Sequence, residues 1–283
     1  MTKMIACVIF MFLVLPGTTS CDLKPGKKVE PDVVFATTPH KVVREMLKLA
    51  GVTKDDTVYD LGSGDGRIVI AAARDFGARG VGVELDPELV AESTENARKA
   101  GVGEMVRFVR EDLFVADIRT ASVIALYMLP EINKELMPKF FRELKPGTRI
   151  VAHRFGVGDW KPDMVLSAFD TTIYLWVVPA NVTGEWKIIL RNAKETKECR
   201  LSLRQRYQMI TGTISGEERE FKLHDARLYG EEITIKVEDT VAGRPLQIKM
   251  EGVARGSCME GTASVAGGRS PGAYLWKGTR VVQ

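Results

Sequence analysis

The sequence predicts an α/β fold, in which a Rossmann-like, doubly wound sheet is followed by a small antiparallel β-barrel or sandwich. Up to about residue 180, short apolar runs alternate with amphipathic segments of helical period, as in a parallel sheet covered by helices. Beyond it, short alternating segments are separated by Gly-containing turns, which is typical of antiparallel strands. We therefore predict one domain over residues 33–180 and a second over residues 181–283.

The first domain is organised around residues 57–67, which read Thr-Val-Tyr-Asp-Leu-Gly-Ser-Gly-Asp-Gly-Arg. An apolar strand breaks at three alternating glycines, Gly62, Gly64 and Gly66, and continues into a helix. Glycine lets the backbone approach a ligand closely, because it has no side chain to hold the ligand off. The stretch therefore predicts a ligand-binding loop between a strand and a helix.

The charges around this loop argue against a dinucleotide. Arg67 occupies the position at which a G-x-G-x-x-G loop requires its third glycine. Asp60 and Asp65 would repel a pyrophosphate and would attract a cationic group. The loop therefore favours a ligand that carries positive charge.

Further polar residues follow the next predicted strands. Glu84 ends the second strand, about 20 residues past the loop, where a carboxylate can accept hydrogen bonds from both ribose hydroxyls. Asp112 follows the third strand, and Tyr127 follows the fourth. Because ligands of such sheets bind at the carboxyl ends of the strands, we expect these residues to lie near Asp60.

The remaining elements of the first domain follow from local signals. Thr38-Pro39 predicts a helix start, with threonine as N-cap and proline at the first helical position. Pro138 interrupts a helical pattern, so two short helices are expected there. Residues 149–153 are predicted as a fifth strand and residues 171–178 as a further one.

The stretch from Asp60 to Arg67 is similar to motif I of class I S-adenosylmethionine-dependent methyltransferases. Together with Thr38-Pro39, Leu126 to Pro130 and Leu144 to Thr148, it resembles the mitochondrial lysine methyltransferases of ATP synthase and the adenine nucleotide translocase. The resemblance covers roughly residues 33–180 and implies S-adenosylmethionine as the cofactor.

The resemblance also implies the residues that contact this cofactor: Thr38, Asp60, Gly62, Ser63, Gly64, Gly66, Glu84, Asp112 and Leu113. Asp60 and the loop backbone would hold the amino-acid part, and Glu84 the ribose. Asp112 would lie by the adenine amino group, with Leu113 packed on the ring. Tyr127, our candidate for the catalytic residue, would shape the channel for the methyl group. The cysteines and histidines are scattered, so no metal site is predicted.

The expected activity is transfer of a methyl group to an amine, with a protein lysine as the first candidate acceptor. A small molecule or a lipid is the alternative acceptor. A second alternative is a membrane-associated binding protein, whose barrel holds an apolar ligand and whose methyltransferase fold is non-catalytic. The net charge is only +3, and no Asn-Pro-Pro-Tyr follows the fourth strand, so no nucleic-acid partner is expected.

In the second domain, Gly184-x-Trp186 near the start and Arg280 near the end resemble the calycin arrangement. In that arrangement, a terminal arginine packs over the tryptophan of the first strand. A barrel with a purely structural role is the alternative. Cys199 and Cys258 could pair if the domain is oxidised.

The first 20 residues predict a signal peptide or membrane anchor, because Lys3 precedes an apolar run from Met4 to Leu15, and small residues lead from there to Cys21. The run is too short to span a bilayer comfortably. Cys21 resembles the lipidated cysteine of bacterial lipoproteins, although Thr18 departs from that pattern. Residues 21–32 read as a linker. We expect an exported or membrane-anchored protein, with a tether that faces the cytoplasm as the alternative.

Overall fold

The computed structural model of the chain describes residues 37–216, 219–268 and 270–281. The predicted signal peptide or anchor, the lipidation of Cys21 and the linker all lie outside these residues. Within the described part of the chain, no helix combines the length and the apolar character needed to cross a bilayer.

The first part of the chain alternates strands and helices and ends in an antiparallel hairpin. Its elements are α1 (His40–Leu49), β1 (Thr57–Leu61), α2 (Arg67–Phe76), β2 (Arg79–Glu84), α3 (Pro87–Lys99), β3 (Val106–Arg110), β4 (Val123–Leu126), α4 (Pro130–Glu143), β5 (Arg149–His153), β6 (Met164–Ala168) and β7 (Thr171–Val177).

These strands form a seven-stranded sheet in the order β3-β2-β1-β4-β5-β7-β6. Strands β1 to β5 are parallel, whereas β7 is antiparallel to β5 and β6 is antiparallel to β7. The predicted Rossmann-like sheet is confirmed. Strand β6 was not predicted, because this edge strand is largely exposed and lacks the alternation of buried and solvated residues.

Helices cover both faces of this sheet, as a doubly wound fold requires. Helices α1, α2 and α3 pack on one face, where Val58 of β1 contributes to the core. Helix α4 packs on the other face through Leu136 and Phe140, where the alternate residues Tyr59 and Leu61 of β1 point. Every residue of the sheet centre is therefore buried, which explains the apolar runs in the sequence.

The expectation of two short helices around Pro138 is wrong, since α4 runs unbroken from Pro130 to Glu143. Proline removes one hydrogen bond, which leaves the carbonyl four residues earlier, on Lys134, without its donor. Pro138 and Lys134 are both exposed, so water can satisfy this carbonyl. The fully buried Leu136 and Phe140 hold the helix to the sheet on its other side.

The second part of the chain is entirely β within the described residues. Its strands are β8 (Gly184–Arg191), β9 (Thr196–Arg206), β10 (Met209–Ser215), β11 (Glu220–Lys222), β12 (Asp225–Tyr229), β13 (Glu232–Val241), β14 (Arg244–Arg255), β15 (Cys258–Gly267) and β16 (Gly272–Arg280). Strands β12 and β15 were not predicted. In β15 the alternation of large apolar and polar residues is weak, because the buried positions include the small Ala263 as well as Met259.

The sheet closes into an eight-stranded antiparallel barrel, which decides between the barrel and the sandwich in favour of the barrel. Strands β8, β9 and β10 pair in chain order, as do β12 to β16. Strand β10 pairs with β12, β16 pairs with β8, and the short β11 lies outside the ring beside β10. A closed ring leaves no free strand edge, and eight strands enclose an interior that side chains or one small ligand can fill.

The calycin-like contact is present in the barrel. The Arg280 guanidinium carbon lies 4.3 Å from the centre of the Trp186 ring. The same guanidinium donates hydrogen bonds to the carbonyls of Asn181, Thr183 and Gly256. Arg280 thus joins the last strand to the segment that enters the first one.

Both cysteines of the barrel are free thiols. Cys199 lies opposite Ile188 of β8, and Cys258 lies opposite Thr279 of β16. Strands β8 and β16 therefore stand between the two cysteines, too far for a disulfide without movement of the backbone.

The barrel packs on the first sheet through the turn between β9 and β10. The Trp160 indole donates a hydrogen bond to the Gln208 amide at 2.8 Å. The Tyr207 ring stacks against Trp160 with a centroid separation of 5.9 Å. The predicted boundary at residue 180 lies between β7 and β8 and remains a prediction.

Candidate active site

Asp60 stands at the carboxyl end of the central strand β1, between β2 and β4. The residue is 3% exposed, and no side chain or backbone group of the described residues forms a hydrogen bond with its carboxyl. Burial raises the pKa of Asp60 well above its usual range, and the charges of Glu84 and Asp65 raise it further. A cation placed here would relieve both effects, since it would stabilise the ionised carboxylate.

The N–H groups of the glycine loop are already used within the fold. Gly62 and Ser63 both donate to the Val83 carbonyl, at 2.9 and 3.0 Å. Gly64 donates to Glu84 Oε2 at 2.9 Å, and Gly66 donates to the Ser63 carbonyl at 2.9 Å. The loop therefore does not present these donors to a phosphate, which supports the sequence argument against a dinucleotide.

Two of the loop glycines are required by their geometry. Gly62 and Gly66 have φ angles of 82° and 80°, in the left-handed region that favours glycine. A Cβ at Gly66 would lie 2.5 Å from the Phe108 ring, and one at Gly62 would lie 2.9 Å from the Met128 sulfur. The loop is thus held tightly against the strand ends on both sides of β1.

Asp65 and Arg67 form a salt bridge, with a separation of 2.6 Å between Nη2 and Oδ2. The Arg67 guanidinium also donates to the Thr38 carbonyl at 3.0 Å. Thr38 is buried, and its hydroxyl lies 3.1 Å from His153 Nδ1. These contacts connect the loop to the entrance of α1 and to the end of β5.

The expectation that Thr38 caps α1 is wrong. Pro39 occupies the N-cap position, and no side chain caps this helix. The Thr38 hydroxyl is engaged by His153 instead, because the chain crosses the end of β5 before the helix begins. The prediction that Thr38 contacts the cofactor stays a prediction.

The Glu84 carboxylate, unlike that of Asp60, has several hydrogen-bond partners within the fold. Its carboxylate accepts hydrogen bonds from the backbone N–H groups of Gly64, Leu85 and Asp86, at 2.9, 2.8 and 3.1 Å. A carboxylate has about four acceptor sites, so capacity remains for a ribose hydroxyl. Glu84 therefore also holds the loop in place.

Asp112, Leu113 and Ser63 have different surroundings. Asp112 is exposed after β3 and accepts a hydrogen bond from the Phe114 N–H at 2.9 Å, which caps the following turn. Leu113 is half-buried and packs on the core beneath it. The Ser63 hydroxyl is buried and has no hydrogen-bond partner among the described residues.

Aromatic rings line the neighbouring ends of β4 and β5. The Tyr127 ring lies 4.2 Å from the His153 ring, measured between centroids. Tyr127 and Phe155 are near-parallel, with 6.2 Å between their centroids and 11° between their planes. Burial lowers the pKa of His153, and the nearby Arg154 charge lowers it further, so the imidazole is neutral at pH 7. Its Nε2 lies 3.0 Å from the Thr171 hydroxyl, so both ring nitrogens are engaged.

Sequence reasoning missed two residues of this region, Phe155 and Asn133. Phe155 follows Arg154, whose φ of 67° is rare for a residue other than glycine and turns the chain sharply after β5. Asn133, fully buried on α4, donates to the carbonyls of Met128 and Gly156 at 3.2 and 3.1 Å. It thereby joins the loops that follow β4 and β5. An asparagine at a core position of the helix was the available signal.

Comparisons with known proteins agree with this geometry. Residues 60–164 match the family described as the ANTKMT methyltransferase domain. A protein-lysine N-methyltransferase of Saccharolobus islandicus is 44% identical over 153 residues, which cover 52% of this chain and 95% of that protein. The adenine nucleotide translocase lysine N-methyltransferase of Mus musculus is 34% identical over 165 residues, which cover 57% of this chain and 71% of that protein.

A solved methyltransferase structure is also similar to this chain. It is described as an RNA methyltransferase from Salinibacter ruber in complex with S-adenosyl-L-homocysteine. It is 50% identical to this chain, with a TM-score of 0.51, and the match covers 52% of this chain and 96% of that one.

The sheet order, the buried Asp60 carboxyl without a partner among the described residues, and these matches define an S-adenosylmethionine-dependent methyltransferase. The chain belongs to the family of the ANTKMT methyltransferase domain, and the resemblance stated from its sequence is confirmed.

Proposed function

We propose that this chain methylates the side-chain amine of a lysine in a protein. The observation that carries the cofactor half of this proposal is the buried Asp60 carboxyl, which has no partner within the described residues and suits an ammonium group. The relative from Saccharolobus islandicus, which is named for protein lysine, supports the acceptor half.

The fold supplies the position for an in-line transfer. The cofactor carries an activated methyl group, whose bond to sulfur breaks as a bond to the amine nitrogen forms. Asp60 would hold the ammonium of the cofactor and Glu84 its ribose, and the methyl group would then be presented to the acceptor near Tyr127. Holding two reactants in line can contribute several kcal/mol, about 7–11 in the best intramolecular cases.

Tyr127 and Phe155 offer aromatic faces to the acceptor. A lysine arrives as an ammonium and must lose one proton to water before attack, because only the neutral amine has a free electron pair. Aromatic faces attract the ammonium, and their apolar surroundings favour the neutral amine over the charged one. His153 has hydroxyl partners at both nitrogens, so it serves to position Thr38 and Thr171 rather than to take this proton.

The acceptor is testable by supplying the candidates side by side. The purified full-length chain is incubated with methyl-labelled cofactor and, separately, with proteins, RNA and small-molecule extract from the same cells. We expect label in protein, recovered as methyllysine after hydrolysis, and much less label with Asp60→Asn at cofactor concentrations below saturation. Label in RNA would contradict the proposal and agree with the name of the Salinibacter protein, whereas label in the extract would favour a small-molecule acceptor.

We also propose export or membrane anchoring through the first 20 residues, which rests on the pattern of Lys3, the apolar run and Cys21. Mass spectrometry of the native protein should find a chain that begins at Cys21. An intact Met1, with the remainder protected from external protease, would favour a tether that faces the cytoplasm.

A further inference from the structure

The barrel contains a cavity of about 550 Å³ that lies outside the methyltransferase site. Its walls include Cys199 near the start of β9 and Ile214 near the end of β10. Both positions are at the end of the barrel opposite the β9–β10 turn, which packs on the first sheet. The cavity therefore opens away from the methyltransferase site.

The two ends of the barrel are packed differently. Toward the first sheet, side chains such as Trp186, Trp276 and Met259 fill the interior and are almost completely buried. At the other end the apolar side chains are covered only in part. Within the described residues, the partly buried members of the barrel core are Leu190, Cys199, Phe221, Ile248 and Val265, and each of them lines the cavity.

The cavity is deep as well as apolar. Leu246, Ile248 and Met250 of β14 are successive inward positions that all line it. These positions span about 13 Å along the strand, at about 3.3 Å per residue. The depth along the barrel axis is smaller, because the strands of a closed barrel are tilted. Such a shape suits an elongated apolar molecule, and the volume is typical of sites for small ligands, about 300–1,000 Å³.

Polar groups are gathered at the rim. The Lys197 amine lies 3.3 Å from Glu195, and the Arg219 guanidinium lies 3.4 Å from Asp239. The Tyr274 hydroxyl donates to Glu195 at 2.5 Å. Lys197 and Arg219 line the cavity, so they can contact a polar head group that stays at the mouth.

We propose that the barrel binds a fatty-acyl chain, with the chain inside the cavity and its polar head at the rim. The partial burial of the wall residues supports this, because an apolar ligand would remove their exposed surface from water. The shared chemistry is the acyl chain, which a free fatty acid or a lysophospholipid can supply. This site is independent of the methyl-transfer reaction.

The direct test is titration of the full-length protein with cis-parinaric acid, a fluorescent fatty acid, below its critical micelle concentration. Val265→Trp places a large ring in the cavity. Ser264→Trp places the same ring on the exposed face of the same strand and is the matched control. We expect one saturable site per chain, weakened at least tenfold by Val265→Trp and unchanged by Ser264→Trp.

Cys199 gives a second measurement that needs no variant. Burial raises the pKa of its thiol to about 12, so alkylation should be slow but measurable by peptide mass mapping at alkaline pH. A bound acyl chain should slow alkylation of Cys199 severalfold while leaving the exposed Cys258 unaffected. Competition of parinaric acid by hexadecanoic acid and by lysophosphatidylcholine, in separate experiments, identifies the source of the chain.

Several results would overturn the proposal: no saturable binding of parinaric acid, equal binding by the Val265 and Ser264 variants, or no protection of Cys199 at saturation. A thermal melt confirms that Val265→Trp is folded. Should it unfold, the smaller change Ile248→Phe at the facing position takes its place, with the same expected loss of binding.

Discussion

The carboxyl edge of the first sheet and the open end of the barrel both contain surface that lacks a suitable partner among the described residues. At the sheet edge this surface is polar, because it includes the buried carboxyl of Asp60, which has no partner among the described residues. At the barrel end it is apolar, because Ile248, Val265 and their neighbours are only partly covered. The two regions therefore suit ligands of opposite character, a cation in one and a hydrocarbon in the other.

The largest effect is expected at Asp60. Asp60→Asn should weaken cofactor binding tenfold or more by calorimetry, since a hydrogen bond to a charged group is worth about 1.5–3 kcal/mol. The same change should raise the melting temperature of the ligand-free protein. The pKa of Asp60 is raised in the folded state, so its ionisation opposes folding at neutral pH, and asparagine removes this penalty.

Glu84→Gln is the matched control for that effect. It also removes a carboxylate from the site, but this carboxylate is held by three backbone N–H groups. We expect weaker cofactor binding together with a lower melting temperature. If both variants shift the melting temperature in the same direction, the contrast between a satisfied and an unsatisfied carboxylate is wrong.

The next effect separates the two regions. Arg280→Met keeps an apolar side chain over Trp186 but removes the cation and its hydrogen bonds to three carbonyls. We expect a loss of about 2 kcal/mol in the free energy of unfolding. A cation–π contact contributes about 0.5–2 kcal/mol and a hydrogen bond to a charged group about 1.5–3, but these contacts are exposed, so water offsets part of their sum. Denaturant unfolding measures this loss. Cofactor affinity should not change, and a parallel loss of affinity would show that the barrel supports the site.

The two regions also differ in how much of each could be predicted from the sequence. Asp60, the glycines and Glu84 lie in short local motifs, so their place at the strand ends followed from the order of the elements. Phe155 and Asn133 escaped prediction because they meet the site only through the turn after β5 and the packing of α4.

The barrel cavity was harder to predict for a physical reason. Its wall brings Leu190, Ile248 and Val265 together from different strands only when β16 closes on β8. The contact of Arg280 with Trp186 was predictable because a resemblance connected two distant residues. Strands β12 and β15 were not predicted from the sequence, so the number of strands could not be predicted either. The width of the barrel interior, which depends on that number, therefore did not follow from the sequence.

A smaller effect concerns pH. The pKa of His153 is lowered in the folded protein, whereas the unfolded chain takes up a proton near pH 6.5. Stability should therefore decrease as the pH falls below about 6.5, by the share of this one group. His153→Asn should flatten this part of the stability profile measured by denaturant unfolding between pH 5 and 7. Asp60 contributes with the opposite sign, since its raised pKa makes stability fall as the pH rises.

The smallest effect is expected at Asp112, which is exposed and accepts one hydrogen bond from the Phe114 N–H. Asp112→Asn retains an acceptor for this turn, so the fold should be almost unchanged. If Asp112 accepts a hydrogen bond from the adenine amino group, the affinity for S-adenosylhomocysteine should fall about two- to fivefold, less than the loss at a buried charged group. The analogue S-inosylhomocysteine has no amino group, so its affinity should not fall with it. Calorimetry with both ligands isolates the contact, because a change in the turn would weaken both equally. An equal loss for the two ligands would therefore assign Asp112 to the turn and leave the recognition of adenine to the packing of Leu113.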